Sequence, residues 1–458
     1  MSIQHIVQQQ KDFFKSQKTK DISFRKKTLK LLLKEIIVRE KDIINAIHED
    51  FRKPEYETVM TEISIVVSEL KLMIRNINKW SKPKRVFPSI LNFPSSAKIY
   101  NEPFGNTLII SPWNYPFQLA FAPLIGAIAA GNTVLLKPSE LTPQTSNITK
   151  KIIEKVFQSS HVSVIEGGVD ISQELLQLRW DYIFFTGSVS VGKIIAKAAA
   201  EHLTPTTLEL GGKSPCIIHK SANLKLAAKR IAWGKFINCG QTCIAPDYVL
   251  IHSSIKDKFT TLFKEELQKA YGNNPESSED FARIINTKNF ERLQDMITNE
   301  TVSIGGKTNK ENHYISPTLV DSPSLTSKVM QEEIFGPILP LISYTSEEEI
   351  DEIISKYEKP LAFYVFSNKK SFAKKMISKH SFGGGTINDT TVHFANHRLP
   401  FGGIGESGVG SYHGKRSFDT FTHQKGVVSR GTWLDIPTRY APYKGKLKQL
   451  KMLLKLGS

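Results

Sequence analysis

Hydrophobic and polar positions follow a helical period through the first 80 residues. Leu29, Leu32, Leu33 and Ile36 recur at helical spacing, with Lys26, Lys27, Lys30 and Lys34 on the other positions, and Ile63, Val66, Val67 and Leu70 repeat the pattern. From Lys82-Pro83 through Pro88 to Pro94 the chain is Pro-rich, which predicts a crossing segment. After residue 99 the pattern changes. Short apolar runs at Thr107–Ile110, Thr133–Leu136, Val162–Ile165 and Tyr182–Phe185 alternate with helical stretches at Phe117–Ala130, Thr145–Phe157 and Val191–His202. Strands that are apolar at successive positions, separated by helices, predict a parallel sheet covered on both faces. A second series follows at Cys216–His219, Tyr248–His252, Phe363–Phe366 and Gly385–Asn388. The expected fold is therefore α/β, with two doubly wound parallel-sheet domains in succession and no internal repeat.

Composition narrows the class without naming a function. The 458 residues suggest roughly three domain-sized masses, and an apolar content of 40% excludes disordered, collagen-like and disulfide-scaffold chains. The net charge of +17 invites a search for nucleic acid, phosphate or membrane partners. That charge is unevenly placed: residues 1–100 carry a net +9, residues 439–458 carry +6 with no acidic residue, and the body between them only +2. Three cysteines, Cys216, Cys239 and Cys243, cannot make a disulfide framework and point to a reducing compartment. Met1–Phe14 lacks the apolar stretch of a signal peptide, and the apolar region Leu119–Gly131 is too short to span a bilayer. A cytoplasmic protein is the expectation.

Several segments could carry chemistry, and each has a plainer reading. Gly187-Ser188-Val189-Ser190-Val191-Gly192-Lys193 fits most of a P-loop, but Ile194 stands where a magnesium-ligating Ser or Thr is needed, and no G-x-G-x-x-G is present. What survives is a glycine turn that could place a phosphate at a helix N-terminus, or a plain strand-to-helix turn. Cys243, in Asn238-Cys239-Gly240-Gln241-Thr242-Cys243-Ile244-Ala245-Pro246, could be an inert buried thiol, a zinc ligand with Cys239, or a nucleophile on an exposed loop. No second Cys pair or His cluster completes a zinc site nearby. Glu209, directly before Leu210-Gly211-Gly212, is either a solvated charge or a carboxylate that takes a proton from water. Asn114, in Ser111-Pro112-Trp113-Asn114-Tyr115-Pro116, is a turn residue or an amide aimed at a developing oxyanion.

Together these segments stand in the order of a known family. Ser111–Pro116, Ala130–Thr133 with Lys137-Pro138-Ser139-Glu140, Phe185–Ser188, Leu208–Lys213, Gly240–Cys243, Glu332-Glu333-Ile334-Phe335-Gly336-Pro337 and Leu399–Gly403 span nearly 300 residues. Over essentially its full length the chain resembles the aldehyde dehydrogenase superfamily. Its short N-terminus and Phe418–His423 resemble the class 3 branch, which includes fatty-aldehyde and bacterial apocarotenoid-aldehyde oxidisers.

The resemblance implies NAD(P)-dependent oxidation of an aldehyde to the carboxylic acid. It implies Cys243 as the nucleophile, the Asn114 amide and the Cys243 backbone N–H as oxyanion donors, and Glu209 as the base for thioester hydrolysis. The CoA-acylating branch typically lacks that base, so its presence favours hydrolysis. Lys137 and Glu140 match adenosine-ribose contacts, Gly187, Ser188 and Gly192 the pyrophosphate turn, and Glu333 with Phe335 the nicotinamide-ribose contacts. A carboxylate at the ribose leans toward NAD, with NADP also accepted in this branch. No metal is implied. Tyr115, Leu119, Trp233, Ile244, Phe394 and Phe401 sit beside the motifs and read either as core or as an apolar funnel for a medium- to long-chain, aromatic or apocarotenoid aldehyde. No Arg or Lys beside Cys243 offers to hold a second carboxylate there. The implied domains are 1–81 with 98–206 for the dinucleotide, 207–388 for catalysis, 82–97 with 389–430 as bridging and oligomerisation segments, and a basic tail at 431–458. A homodimer is implied.

The alternative is a non-catalytic membrane- or nucleic-acid-binding protein on the same fold. Asn114, Glu209 and Cys243 are all intact, and the basic ends lack the interleaved Arg and aromatic residues of a nucleic-acid surface, so no nucleic acid is expected. In the tail, Leu447, Leu450, Leu453 and Leu454 can share one helix face with Lys444, Lys448, Lys451 and Lys455 on an adjacent one. This reads as a frayed terminus or as a weak interfacial helix that holds the protein near anionic membrane.

Overall fold

The apolar runs assemble as two separate sheets in the computed structural model, which describes residues 2–89 and 92–456. Met1, Ile90, Leu91, Gly457, Ser458 and the side chains of Leu453 and Leu456 lie outside the described residues. The first sheet has six strands in the order Gly408–Val409, Thr206–Glu209, Tyr182–Thr186, Asn106–Ile110, Thr133–Lys137 and Val162–Val164. All its pairings are parallel except at the Gly408–Val409 edge. Successive side chains on a strand face opposite ways, and here each side finds helices. Ile109, Leu136 and Phe184 join the core beneath helix Gln118–Ala130, whose thirteen residues are all buried. Leu108, Ile110, Leu135, Ile183 and Phe185 pack with Leu175, Ile195 and Ala199 from the helices on the other side. Burial on both faces explains the unbroken apolar runs.

The second sheet has seven strands in the order Val302–Ile304, Thr318–Asp321, Ile338–Tyr344, Tyr248–His252, Pro215–Ile218, Ala362–Phe366 and Gly384–Ile387. Only the Val302–Ile304 edge runs antiparallel. Three of its strands are not legible from pattern. Ile338–Tyr344 carries Pro340 in its interior, paired with Val320, and a proline argues against a central strand because it cannot donate to the ladder.

Strand Thr206–Glu209, within the expected 207–388 unit except for its first residue, pairs parallel with Tyr182–Thr186 in the first sheet. Strand Ser95–Pro103 runs past the expected limit of 97 and pairs with Thr422–Arg430 along its whole length. With Lys84–Val86 these strands form a three-stranded antiparallel arm, and Thr422–Arg430 is exposed over most of its length.

The N-terminal helices make a third layer. Leu29, Leu32 and Ile36 pack with Val66, Leu70 and Met73 in the core that also holds helix Gln118–Ala130. Arg25 locks this layer in place: its Nη1 donates to the Ala129 carbonyl at 2.8 Å, at the end of that helix where carbonyls have no helical partner. The tail forms helix Leu447–Leu456, with Leu447, Leu450, Met452 and Leu454 exposed. Among the described residues no helix is long and apolar enough to cross a membrane.

Candidate active site

Cys243 ends a loop held by its own side chains. Asn238, Cys239 and Gly240 take left-handed backbone angles in succession, with φ of 56°, 55° and 74°. Such strain persists only where the surroundings over-determine it, and here they do. Gln241 donates from Nε2 to the Asn238 and Arg283 carbonyls, and its Oε1 accepts from Ile285 N–H at 3.0 Å. Asn238 donates from Nδ2 to the Asn114 carbonyl at 2.8 Å, and its N–H donates to Glu57 at 2.8 Å. Asn114 answers by donating from Nδ2 to the Gln241 carbonyl at 3.0 Å. A side chain at Gly240 would run into the Gly336 carbonyl. The loop cannot shift without breaking several of these contacts.

Within this buried loop Cys243 is partly exposed, and its side chain opens to a cavity of about 190 Å³. Burial raises its thiol pKa; the Glu333 and Glu209 carboxyls raise it further, while the N–H groups of Cys243 and Ile244 oppose them. Cys239 and Cys216 are fully buried, and neither lines the cavity. Glu209 lines the same cavity from the end of its strand, where the Glu209 carbonyl accepts Gly187 N–H at 3.0 Å. Both Glu209 carboxyl oxygens are buried without a partner, and desolvation holds the group well above the usual carboxylate range.

All six expected funnel residues, Tyr115, Leu119, Trp233, Ile244, Phe394 and Phe401, line this cavity. Sequence pattern does not disclose Met60, Thr61 and Ile65, which reach it from the N-terminal layer around a wide π-type turn at Val59–Ile63. Nor does it disclose what sets that wall. Lys53 and Glu62 form a fully buried ion pair at 2.7 Å, and Glu62 accepts Phe117 N–H at 2.9 Å. Lys53 lies 4.0 Å over the Tyr115 ring, whose hydroxyl hydrogen-bonds Thr242 at 2.7 Å, one residue before Cys243. No local motif announces such a pair.

The remaining candidates gather at the carboxyl ends of the first sheet. Lys137 closes strand Thr133–Lys137 and meets Glu140 at 2.7 Å, with the lysine buried and the glutamate open to solvent. Ser188 caps helix Val189–Ala200, accepting Val191 N–H at 3.4 Å. A Cβ at Gly192 would stand 2.6 Å from the Leu210 side chain, and one at Gly187 2.5 Å from the Phe185 ring, so glycine lets both side chains pack against the turn. Glu333 lies instead against Gly211-Gly212 and accepts the Gly212 N–H; burial and Asp247 push it up to about 8. Phe335 sits edge-on to Trp113 at 5.2 Å, with φ of 51°. Lys213 holds this segment: its Nζ pairs with Asp247 at 2.6 Å and donates to the Val329 and Glu332 carbonyls, while Asp247 accepts Ile334 N–H.

The aldehyde dehydrogenase family profile matches residues 1–427. The chain is 48% identical over 447 residues to the 4,4'-diaponeurosporen-aldehyde dehydrogenase of Staphylococcus aureus, covering 97% of each. It is 45% identical to aldehyde dehydrogenase family 3 member A2 of Macaca fascicularis, covering 92% of this chain and 86% of that one. A substrate-bound structure of Staphylococcus aureus AldH superposes with a TM-score of 0.97 at 47% identity, covering 99% of this chain and 100% of that one. An NAD+ complex of a Bacillus cereus aldehyde dehydrogenase superposes at 0.82 with 26% identity, over 90% of this chain and 84% of that one.

Proposed function

This chain belongs to the aldehyde dehydrogenase family and oxidises aldehydes with NAD(P), and we propose that Cys243, Glu209 and Asn114 carry the reaction on an apolar, medium- to long-chain, aromatic or apocarotenoid aldehyde. The observation that carries this reading is one cavity that holds the open cysteine, an unpartnered carboxyl and an apolar wall.

The Cys243 sulfur attacks the aldehyde carbon as a thiolate and forms a thiohemiacetal. The second amide proton of Asn114, the one not given to Gln241, donates to the oxyanion together with the Cys243 N–H. Such preorganised donors lower the barrier because they need not reorganise as charge develops. Bound NAD(P) supplies the hydride acceptor. Glu209 then takes a proton from the water that hydrolyses the resulting thioester. Its oxygens have no competing partner, and its raised pKa makes it a stronger base than a solvated carboxylate. The apolar wall excludes bulk water from the thiohemiacetal.

The dinucleotide fits the residues present. The capped helix N-terminus at Ser188 offers N–H groups to a pyrophosphate. Lys137 and Glu140, already paired, would hold the adenosine ribose, and the exposed Glu140 carboxylate disfavours a 2′-phosphate, so NAD is preferred over NADP. Glu333 and Phe335 would meet the nicotinamide ribose after Glu333 leaves the Gly211-Gly212 turn.

The protein acts as a cytoplasmic homodimer. The exposed Val427 and Val428 of the arm and the exposed edge at Ile387 offer apolar surface for a second copy. The tail makes a weak peripheral contact with anionic membrane through its exposed leucines and neighbouring lysines. Deleting residues 442–458 should reduce co-sedimentation with anionic vesicles while leaving oxidation of a soluble aldehyde intact; unchanged sedimentation would refute the contact. The catalytic reading is tested by NAD(P)H formation across aldehydes from short to very long. Wild type should respond, with preference for apolar chains, and the Cys243→Ala variant should not.

A further inference from the structure

The two oxyanion donors, the Asn114 amide and the Cys243 N–H, sit on separate segments, and one hydrogen bond joins their immediate neighbours. Tyr115 follows Asn114, and its hydroxyl bonds at 2.7 Å to that of Thr242, the residue just before Cys243. Beside it Asn114 Nδ2 reaches the Gln241 carbonyl at 3.0 Å. The spacing of the two donors therefore depends on where the Tyr115 ring stands. Lys53 lies against that ring, with Nζ 4.0 Å from its centre. Lys53 is fully buried and does not line the catalytic cavity, so it stands behind the cavity wall rather than in it.

The partner of Lys53 fixes the same segment from a second side. Lys53 Nζ donates to Glu62 Oε1 at 2.7 Å. The other Glu62 oxygen accepts the Phe117 and Gln118 N–H groups at 2.9 and 3.2 Å. These amides open helix Gln118–Ala130, whose N-cap residue Phe117 offers no side-chain cap. Glu62 caps the helix in its stead, and the Tyr115 carbonyl accepts Leu119 N–H at 2.9 Å in the first turn. One ammonium thus ties together an ion pair, a helix cap and an aromatic face. Its own segment is pinned to the cysteine loop as well. Arg283 N–H donates to the Phe51 carbonyl at 2.9 Å, and the Arg283 carbonyl accepts from Gln241 at 3.0 Å. Glu57, four residues after Lys53, accepts Asn238 N–H at 2.8 Å. Residues 51–62 consequently reach both halves of the oxyanion site.

A buried ion pair is a poor device for stability alone, since well-packed apolar side chains of similar volume serve as well or better. What the ammonium adds is a fixed point: in a dry site a cation over a ring face is held by the ring quadrupole as well as by packing. We propose that Lys53 is a positioning residue for the oxyanion site, setting the distance between the Asn114 amide and the Cys243 N–H through the Tyr115–Thr242 bond. This role rests on the catalytic reading above and adds no step to it. Misplacing such groups by about 1 Å costs on the order of 10²-fold in rate, so the role is visible in kcat.

The test uses Lys53→Met/Glu62→Gln, which removes both buried charges together and leaves an amide oxygen to cap the helix. Lys53→Met alone would strand the Glu62 charge and destabilise the fold. In the double variant kcat for octanal should fall by about 10- to 100-fold, with KM for octanal and NAD binding held. Alkylation of Cys243 by iodoacetamide should keep the wild-type rate, because displacement at a saturated carbon builds no oxyanion. Cys216 and Cys239 are buried and do not confuse that readout. Tyr115→Phe keeps the ring and loses only the Thr242 bond, and should lower kcat by roughly tenfold. Adding the double exchange to Tyr115→Phe should cost less than about threefold more, since both act through one link. A folded double variant with wild-type kcat would overturn the proposal, because the pair would then be structural only. So would alkylation that slows in step with kcat, or full additivity of the two changes. Unchanged kcat in Tyr115→Phe would overturn it even where the double variant does not fold. Full kcat in Asn114→Ala would instead refute the oxyanion reading beneath it.

Discussion

The Cys243 loop and the Gly187–Gly192 turn are both short, glycine-bearing segments at the site, yet they are held in opposite ways. The turn is local: Ser188 caps the helix it opens, and the space for Gly192 is set by Leu210 at the end of the adjoining strand. The loop is held from a distance, by Glu57, Asn114, Arg283 and Ile285 through bonds that span 42 to 181 residues of sequence. Left-handed angles at three successive residues persist because those bonds outweigh the strain. A binding turn works when its N–H groups point outward, and a helix terminus arranges that by itself. A nucleophile must also stand at a fixed place relative to a base and an oxyanion donor that arrive from elsewhere in the chain.

If that contrast is right, substitutions around the loop should cost far more than those at the turn. Cys243→Ala should lower turnover by on the order of 10⁴-fold or more, with cofactor still bound as read by fluorescence titration. Asn114→Ala should cost about 10²- to 10³-fold in kcat, since one oxyanion donor is lost along with the bond to Gln241. Retention of full kcat would remove Asn114 from the chemistry. Glu209→Gln should preserve a burst of NAD(P)H and lose the steady state, while equal loss of both phases would count against its role as the hydrolytic base.

Two smaller effects sharpen the comparison. Cys243 and Glu209 act deprotonated, and burial raises both pKa values. Turnover should therefore rise as pH goes from mildly acidic to mildly alkaline, and in Glu209→Gln the burst should keep the part of that rise due to the thiol. Ser188→Ala should cost about 1 kcal/mol of stability, read by denaturant titration, and raise the cofactor KM modestly with kcat held. A collapse of kcat in Ser188→Ala would erase the distinction between the two segments.

The same division separates what is legible in the amino-acid sequence from what is not. The glycine turn follows its strand directly, so chain-local order carries it, whereas Lys137 and Glu140 are implied only by the resemblance to the family. Four strands of the first sheet are legible because their runs are mainly apolar, as burial on both faces requires, whereas Thr206–Glu209, with only Leu208 apolar, is not. By contrast, Met60, Thr61 and Ile65 join the cavity only because Glu62 bonds the amide of Phe117, 55 residues away. Glu333 is engaged at Gly211-Gly212 by packing that no spacing rule encodes. Pro340 conceals a central strand whose neighbours supply the pairing that a lone segment would lack.

The walls of the catalytic cavity come from both ends of the chain. Met60 and Thr61 belong to its first seventh, whereas Phe401 and Tyr412 belong to its last. A ribosome therefore completes the nucleophile long before it completes the enclosure around it. Until Tyr412 has emerged and docked, Cys243 has no finished apolar wall, and the nascent chain carries a thiol without a working site. Competence toward aldehydes arrives late in synthesis, and a chain cut short before residue 401 would be dead even with Asn114, Glu209 and Cys243 all present.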